Sequence, residues 1–163
     1  MSRVIRHVVP VSQPQGSNLC WAAVVAMIVG RSGSDVVNQI RNEAVAANVP
    51  LYANGTLNET TGVPGLATAF HLRCDNVGTG ILPGQDLADR LTRGPIGLFG
   101  LLTPPPSSGS PRHAVAAHGV TGDFAASSSS MILGVDPRGF SAINMTFFNF
   151  QTQFNISQIL YRA

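Results

Sequence analysis

Apolar residues are spaced differently in the two parts of the chain. In residues 18–94 they recur mostly with the period of a helix, whereas in residues 95–163 they form short runs separated by turn residues. The longest apolar run, over 19–29, predicts a helix that is buried on all sides. Ser17 or Asn18 is its predicted N-cap, and the glycine that follows the run is its predicted end.

Three further helices are predicted in the first part. Between residues 34 and 48 the valine, isoleucine and alanine side chains share one helical face. Pro64 suits the first position of a helix that we expect to extend to Arg73. The segment 84–94 has two leucines one turn apart and a final glycine, which is typical of a short amphipathic helix.

The second part predicts strands. Residues 95–102 form an apolar run typical of a buried strand. Residues 113–122 and 130–136 are predicted to be two strands. The polar segment between them indicates a hairpin with a long tip. We expect one or two more strands around a turn or short helix within 141–150 and 155–162.

Helices followed by strands indicate an α+β architecture, with the helical part packed against an antiparallel sheet. The 163 residues are enough for a single domain, 1–163, with its own core. Apolar residues make up 44% of the chain and charged residues only 11%, which is the opposite of a disordered composition. We therefore expect one folded domain.

The charge pattern excludes some function classes. The net charge of +2 is spread along the chain without a basic cluster, so we expect no nucleic-acid partner. No stretch of 18 apolar residues predicts a membrane span. The chain contains no lysine, which fits either an arginine-rich codon bias or a protein that avoids ubiquitin attachment inside a foreign cell. The N-terminus has no signal-peptide pattern, so export would require a dedicated secretion route.

Cys20 has four interpretations. It is a small core residue, a disulfide partner of Cys74, a metal ligand or a nucleophile. The chain has no further cysteine or histidine at zinc-ligand spacing, and one disulfide would not make a disulfide-dependent scaffold. As the nucleophile, Cys20 would benefit from the start of the predicted helix, where free N–H groups and the dipole favour a thiolate and an oxyanion.

A nucleophilic cysteine needs a base, and the chain offers four histidines. His7 lies near the N-terminus among arginines, and His71 lies late in the third predicted helix. His113 opens a predicted strand directly after a loop, and His118 follows five positions later, so the two side chains should point to opposite faces. Because His113 lies at the start of a strand, directly after a loop, it is the best placed of the four histidines to act as the base.

The base in turn needs a group that orients its ring. Asp136 ends the strand predicted to pair with the strand of His113, and antiparallel pairing brings these two ends together. Asp123 would lie at the opposite end of the hairpin, where a role in the turn explains it. Asp136 precedes a proline, so the start of a turn also explains it.

The segments "CWAAVVAM" after a glutamine, "HAVAAHGV" and "GVDP" resemble, in this order, the papain-like cysteine proteases. The nearest branch is bacterial and includes a type III effector protease and bacteriocin-processing peptidase domains. The similarity extends from about Val9 to Ile159. It implies that Trp21 is a structural residue of the helix beside the catalytic pair.

Carried over by position, the resemblance implies Cys20 as nucleophile, His113 as general base and acid, and Asp136 as the third member. It implies that the Cys20 backbone N–H and a glutamine side chain form the oxyanion hole. The family usually has five residues between that glutamine and the cysteine. Gln13 has six and Gln15 has four, and we favour Gln13 because it precedes a proline.

The resemblance implies a cysteine peptidase without a cofactor or metal, acting on a protein or peptide substrate. A secreted bacterial effector or toxin is the expected role, either in the bacterial cytoplasm or exported by a specialised system, with an activating or immunity protein as a further partner. The same site would also support deamidation, transglutamination or peptidoglycan amide hydrolysis. A non-catalytic binding module on the same scaffold is the third hypothesis. Specificity is expected in the loops 50–62 and 103–112.

Overall fold

The computed structural model describes residues 2–58, 60–78, 80–107 and 109–163. Within these ranges the helices are α1 (Cys20–Val29), α2 (Val36–Ala46), α3 (Gly62–Ala69), α4 (Gly84–Arg90) and α5 (Phe147–Gln153). The strands are β1 (Ser2–Ile5), β2 (Leu72–Asn76), β3 (Ile96–Leu102), β4 (Arg112–Gly122), β5 (Ser130–Asp136), β6 (Ser141–Thr146) and β7 (Phe154–Arg162).

The strands of the described residues form one antiparallel sheet in the order β2-β7-β3-β4-β5-β6. Strand β1 extends this sheet by pairing with the far end of β4, so that Ser2 lies opposite Gly122. The sheet therefore has its longest strand, β4, near its centre. Helices and strands together confirm the predicted α+β class.

Helix α1 packs against one face of the sheet. Its residues from Cys20 to Ile28 are all buried, and they share a cluster with Ala114 and Ala116 of β4 and with Phe99 of β3. A helix that is apolar on every side can be stable only where neighbouring elements surround it. Here β3 and β4 lie on one side, and α2 and α3 contribute the rest of the cover.

A second cluster occupies the other face of the sheet. Val115 and Ala117 of β4 face this cluster, in alternation with the residues that face α1. Helices α4 and α5 cover it with Leu87, Phe147 and Phe150 among others. Both faces of β4 are therefore buried, and His113 at its start is buried as well.

Arginine side chains satisfy the carbonyl groups at two helix ends. Arg162 of β7 donates from Nε to the carbonyl of Ile28 at 2.7 Å, near the end of α1. Arg6 donates to the carbonyls of Leu91 and Thr92, both at 2.6 Å, just after α4. Cations suit these positions because the last carbonyls of a helix carry negative partial charge.

The prediction of one helix from Pro64 to Arg73 is wrong for its last residues. Helix α3 ends at Ala69, and His71 adopts a left-handed φ of 56° before β2 begins. Strand β2 pairs with β7, so sheet formation at the edge overrides the local helical pattern. The predicted N-cap of the first helix is also wrong, because Leu19 is the N-cap and no side chain caps the helix.

The predictions for the second part are confirmed by the structure. Strands β4 and β5 form the expected antiparallel hairpin, and Asp123 Oδ1 accepts a hydrogen bond from the backbone of Ala125 within its tip. Strands β6 and β7 flank the short helix α5. In the part of the chain that the structure describes, every helix is too short or too polar to cross a membrane.

The contact between α1 and β3 gives a test of the packing. A Cβ atom at Gly97 would lie 2.8 Å from a methyl group of Val24 and 2.9 Å from the ring of Phe99. We expect Gly97→Ala to lower the free energy of unfolding by about 1–3 kcal/mol, because a filled core has no room for the methyl group.

Chemical denaturation measures this change, and Gly78→Ala is the matched control. A methyl group at Gly78 meets no atom within 4 Å. Equal stabilities of the two variants would contradict the close packing of α1 on the sheet.

Candidate active site

Cys20 is the first residue of α1 and lies at the floor of a cleft. Its side chain is only 9% exposed, and it is a free thiol, as is Cys74. The carbonyl of Leu19 accepts the first helical hydrogen bonds, from Ala22 and Ala23. No side chain caps α1, so the start of the helix, where Cys20 lies, has no side-chain acceptor for its N–H groups.

His113 and Asp136 meet across the β4–β5 pair. His113 is the second residue of β4, and Asp136 is the last residue of β5. Nε2 of His113 lies 2.7 Å from Oδ1 of Asp136. Antiparallel pairing thus brings together two residues that are 23 positions apart in the sequence.

The second ring nitrogen of His113 is directed away from Asp136. This atom, Nδ1, is buried and has no hydrogen-bond partner within the described ranges. Cys20 lines the same cleft as His113, and its proximity raises the pKa of the imidazole. The structure therefore brings Cys20, His113 and Asp136 together, with the imidazole in the middle.

The groups around His113 determine its protonation state. Burial by itself would lower the pKa of His113, but the hydrogen bond to Asp136 and the interaction with Cys20 outweigh it and raise the pKa to about 9. The imidazolium is therefore the favoured form of His113 at neutral pH. A buried cation of this kind is stable because the carboxylate of Asp136 is hydrogen-bonded to it.

Two neighbours fix the orientation of the pair. The backbone N–H of Arg138 donates to the same Oδ1 of Asp136 at 2.9 Å, in the turn after β5. The ring of Phe154, at the start of β7, meets the ring of His113 edge to face with centroids 6.4 Å apart. The carboxylate and the imidazole are thus each held by a second contact.

The two candidate glutamines have different surroundings. Gln13 is half-buried, and its backbone N–H donates to the carbonyl of Pro137, the residue after Asp136. Its side-chain Nε2 donates to the carbonyl of Ser17 at 2.7 Å, and its Oε1 is buried without a partner in the described part of the chain. Gln15 lies exposed in a turn. A backbone hydrogen bond therefore connects Gln13 to the turn that follows Asp136, whereas Gln15 is exposed.

Trp21 connects α1 to the predicted specificity loop 50–62. Its side chain is buried, and its Nε1 donates to the carbonyl of Gly55 at 2.9 Å. This hydrogen bond holds the loop beside Cys20. Trp21 therefore has the structural role that the resemblance implies.

A cleft of about 250 Å³ opens above Cys20 and His113. Its apolar part includes Trp21, Leu57, Val63 and Phe99. Both predicted specificity loops border it, through Thr56, Leu57 and Asn58 and through Ser110. Such a mixture of an apolar floor with a few polar groups is typical of a ligand-binding cleft.

The other candidate residues lie elsewhere. His7 and His71 are exposed, and His118 is half-buried with a pKa lowered by its burial. None of these three lines the cleft. Cys74 lies in β2, where burial and the charge of Asp75 raise the pKa of its thiol. No cluster of three metal-ligating side chains occurs in the described ranges.

The sequence analysis missed residues that complete the cleft. Phe154, Ser157 and Gln158 of β7 lie next to His113 or line the cleft, although they are more than 40 positions away in the chain. Their segment showed only the pattern of a strand. Arg138 also lines the cleft, and its position directly after the Asp-Pro pair was the one available signal.

Comparison with known proteins gives a fold match and no sequence match. No model of a known protein family and no curated protein matches the chain. A solved structure titled as a double glycine motif protease from an AMS/PCAT transporter, in complex with the leader peptide, matches with a TM-score of 0.58. The match covers 98% of this chain and 95% of that one at 15% sequence identity. The chain therefore has the α+β fold of a papain-like cysteine peptidase.

Proposed function

We propose that the protein is a cysteine peptidase with Cys20 as nucleophile, His113 as general acid and base, and Asp136 as the orienting group. The observation that carries this proposal is that His113, hydrogen-bonded to Asp136, lines the same cleft as Cys20. A thiol at the start of a helix, an imidazole beside it and a carboxylate behind the imidazole are the parts required for acyl transfer.

The proposed reaction has two stages. The Cys20 thiolate attacks the carbonyl carbon of a peptide bond, and the resulting oxyanion accepts hydrogen bonds from the Cys20 N–H and the Gln13 amide. Nδ1 of His113 gives its proton to the amine as the carbon–nitrogen bond breaks, which leaves a thioester on Cys20. His113 then takes a proton from water, and the hydroxide displaces the sulfur to give the acid.

A peptide substrate is supported by the fold neighbour, which is described as a double glycine motif protease and was solved in complex with a leader peptide. Peptides that contain Gly-Gly are therefore the first substrates to test. We also propose a role as an exported bacterial effector or toxin, and the lack of lysine is the feature that supports it. An activating or immunity protein would be the partner of such a toxin.

Replacement of the proposed nucleophile tests the whole proposal. We expect Cys20→Ala to abolish activity and to leave the fold intact, because the side chain lies at the edge of the buried α1 cluster and alanine fits a helix. The protein is incubated with a proteome-derived peptide library, and the products are mapped by mass spectrometry. Circular dichroism checks the fold.

The matched control is Cys74→Ala, which removes the other thiol and should retain activity. New peptide termini indicate proteolysis, a mass increase of about one dalton indicates deamidation, and a cross-linked amine indicates transglutamination. A separate assay with a peptidoglycan fragment tests hydrolysis of cell-wall amide bonds. Modification by Cys20→Ala at the wild-type rate would contradict every catalytic assignment. No modification by the wild type would favour the non-catalytic binding module.

The choice between the two glutamines has its own test. We expect Gln13→Ala to lower kcat by about 10²–10³, the usual effect of losing one oxyanion donor, with little change in KM. Gln15→Ala is the matched control and should behave as wild type, because Gln15 is exposed. Steady-state kinetics measure both variants, and thermal melting checks that loss of the Ser17 contact leaves the fold in place. A larger loss in Gln15→Ala would reverse the assignment.

The protonation of His113 is measurable without a substrate. We expect its ring signals to titrate by NMR with a midpoint near the pKa of about 9. Asp136→Asn should move this midpoint to lower pH, because it removes a negative charge that stabilises the imidazolium. Asp123→Asn, at the far end of the hairpin, is the control and should not move it. A wild-type midpoint at or below the ordinary histidine value of about 6.5 would contradict the ion pair.

A further inference from the structure

We infer that Gln158 is a specificity-determining residue of the cleft and that its amide oxygen accepts a hydrogen bond from a side chain of the substrate. This inference rests on the proposed function, because it concerns the substrate of the same site. Gln158 lies in β7 and lines the cleft that contains Cys20 and His113. The residue is only 7% exposed, so its polar group is withdrawn from bulk solvent and needs partners.

A β-bulge turns Gln158 toward the cleft. In the ladder with β3, Ile156 lies opposite Gly100 and Gln158 lies opposite Phe99. Because Phe99 and Gly100 are consecutive, Ser157 is an extra residue on β7. Ile156 packs in the cluster on the face of α4 and α5, and without the extra residue Gln158 would share that apolar face. The bulge therefore places an amide in the cleft and not in the core.

The bulge is fixed by contacts with both neighbouring strands. A Cβ atom at Gly100 would collide with the carbonyl oxygen of Asn155, so only glycine permits this approach of β3 to β7. The hydroxyl of Ser157 donates to the carbonyl of Phe99 at 3.1 Å. The carbonyl of Ser157 accepts a hydrogen bond from the N–H of Val77, the residue after β2. The direction of the Gln158 side chain is therefore built into the sheet.

A neighbouring asparagine orients the amide of Gln158. Asn76, the last residue of β2, lies directly opposite Gln158, so the two side chains share a face of the sheet. Nε2 of Gln158 donates to Oδ1 of Asn76 at 3.0 Å. No described residue donates to Oε1 of Gln158, and this oxygen is not among the fully enclosed atoms that lack a partner. Oε1 is therefore available to a donor in the cleft.

The place of Gln158 in the sheet indicates which part of the substrate it meets. Gln158 lies opposite Phe99 of β3, which lies opposite Ala114 of β4, the residue after His113. Two strand spacings separate β7 from β4, which is about 10 Å. An extended peptide rises about 3.3 Å per residue, so the recognised side chain lies within about three residues of the bond that is attacked. The acceptor favours an N–H or O–H group there over an apolar side chain of the same shape.

Peptide binding to Cys20→Ala tests this recognition without cleavage, because the variant lacks the proposed nucleophile. The probes are fluorescein-labelled peptides built around Gly-Gly, with threonine or valine at one of the three positions on either side. These two side chains have similar shapes and differ in one hydroxyl group. Fluorescence anisotropy gives the Kd of each peptide. At one position we expect threonine to bind about 5- to 30-fold more tightly, the usual effect of a buried acceptor that loses its partner.

Variants in the same background assign the preference to Gln158. Gln158→Leu should remove it, because no acceptor remains, and Gln158→Glu should keep it, because a carboxylate oxygen replaces the amide oxygen. Asn76→Ala should weaken it, because the amide loses the contact that orients it. Gln153→Leu makes the matched change on an exposed residue of α5 outside the cleft and should leave the preference unchanged. Thermal melting checks that each variant folds.

The outcomes separate this inference from the proposed peptidase. The same peptides are incubated with the unsubstituted protein, and cleavage is followed by mass spectrometry. A threonine preference in binding that Gln158→Leu removes, without cleavage of any peptide, would support the role of Gln158 and count against the peptidase. Equal binding of threonine and valine at every position, or a preference that persists in Gln158→Leu, would overturn the inference even if peptides are cleaved.

Discussion

The burial of helix α1 against strands β3 and β4 is the contact on which the rest of the structure depends. The helix has no polar face, so the sheet and its neighbouring helices must surround it. That requirement fixes the position of its first residue, Cys20, near the start of β4. The same packing leaves Cys20 at the floor of an open cleft. A core interaction therefore determines where the proposed chemistry occurs.

The β4–β5 hairpin supplies the second half of the site. It joins His113 to Asp136 by register, and the turn after β5 fixes the carboxylate through the N–H of Arg138. The backbone contact between Gln13 and Pro137 connects this turn to the loop before α1. The loop before α1 and the carboxylate of Asp136 are thus held together.

The protonation of the buried His113 imidazole depends on its neighbours. The buried imidazole is stabilised as a cation by Asp136 and Cys20, which favours nucleophilic chemistry at neutral pH. The carboxylate of Asp136 therefore contributes to the charge state of the imidazole.

The sequence by itself determined most of the local structure, because apolar spacing, glycines and the Asp-Pro turn act over a few residues. It indicated α1, the hairpin and the order Cys20, His113, Asp136. It could not assign β2, because residues 72–76 become a strand only when β7 lies beside them. Phe154 likewise joins the site only through a contact between distant strands. Tertiary structure decided these features because side chains far apart in the chain have no local pattern that reports their contact.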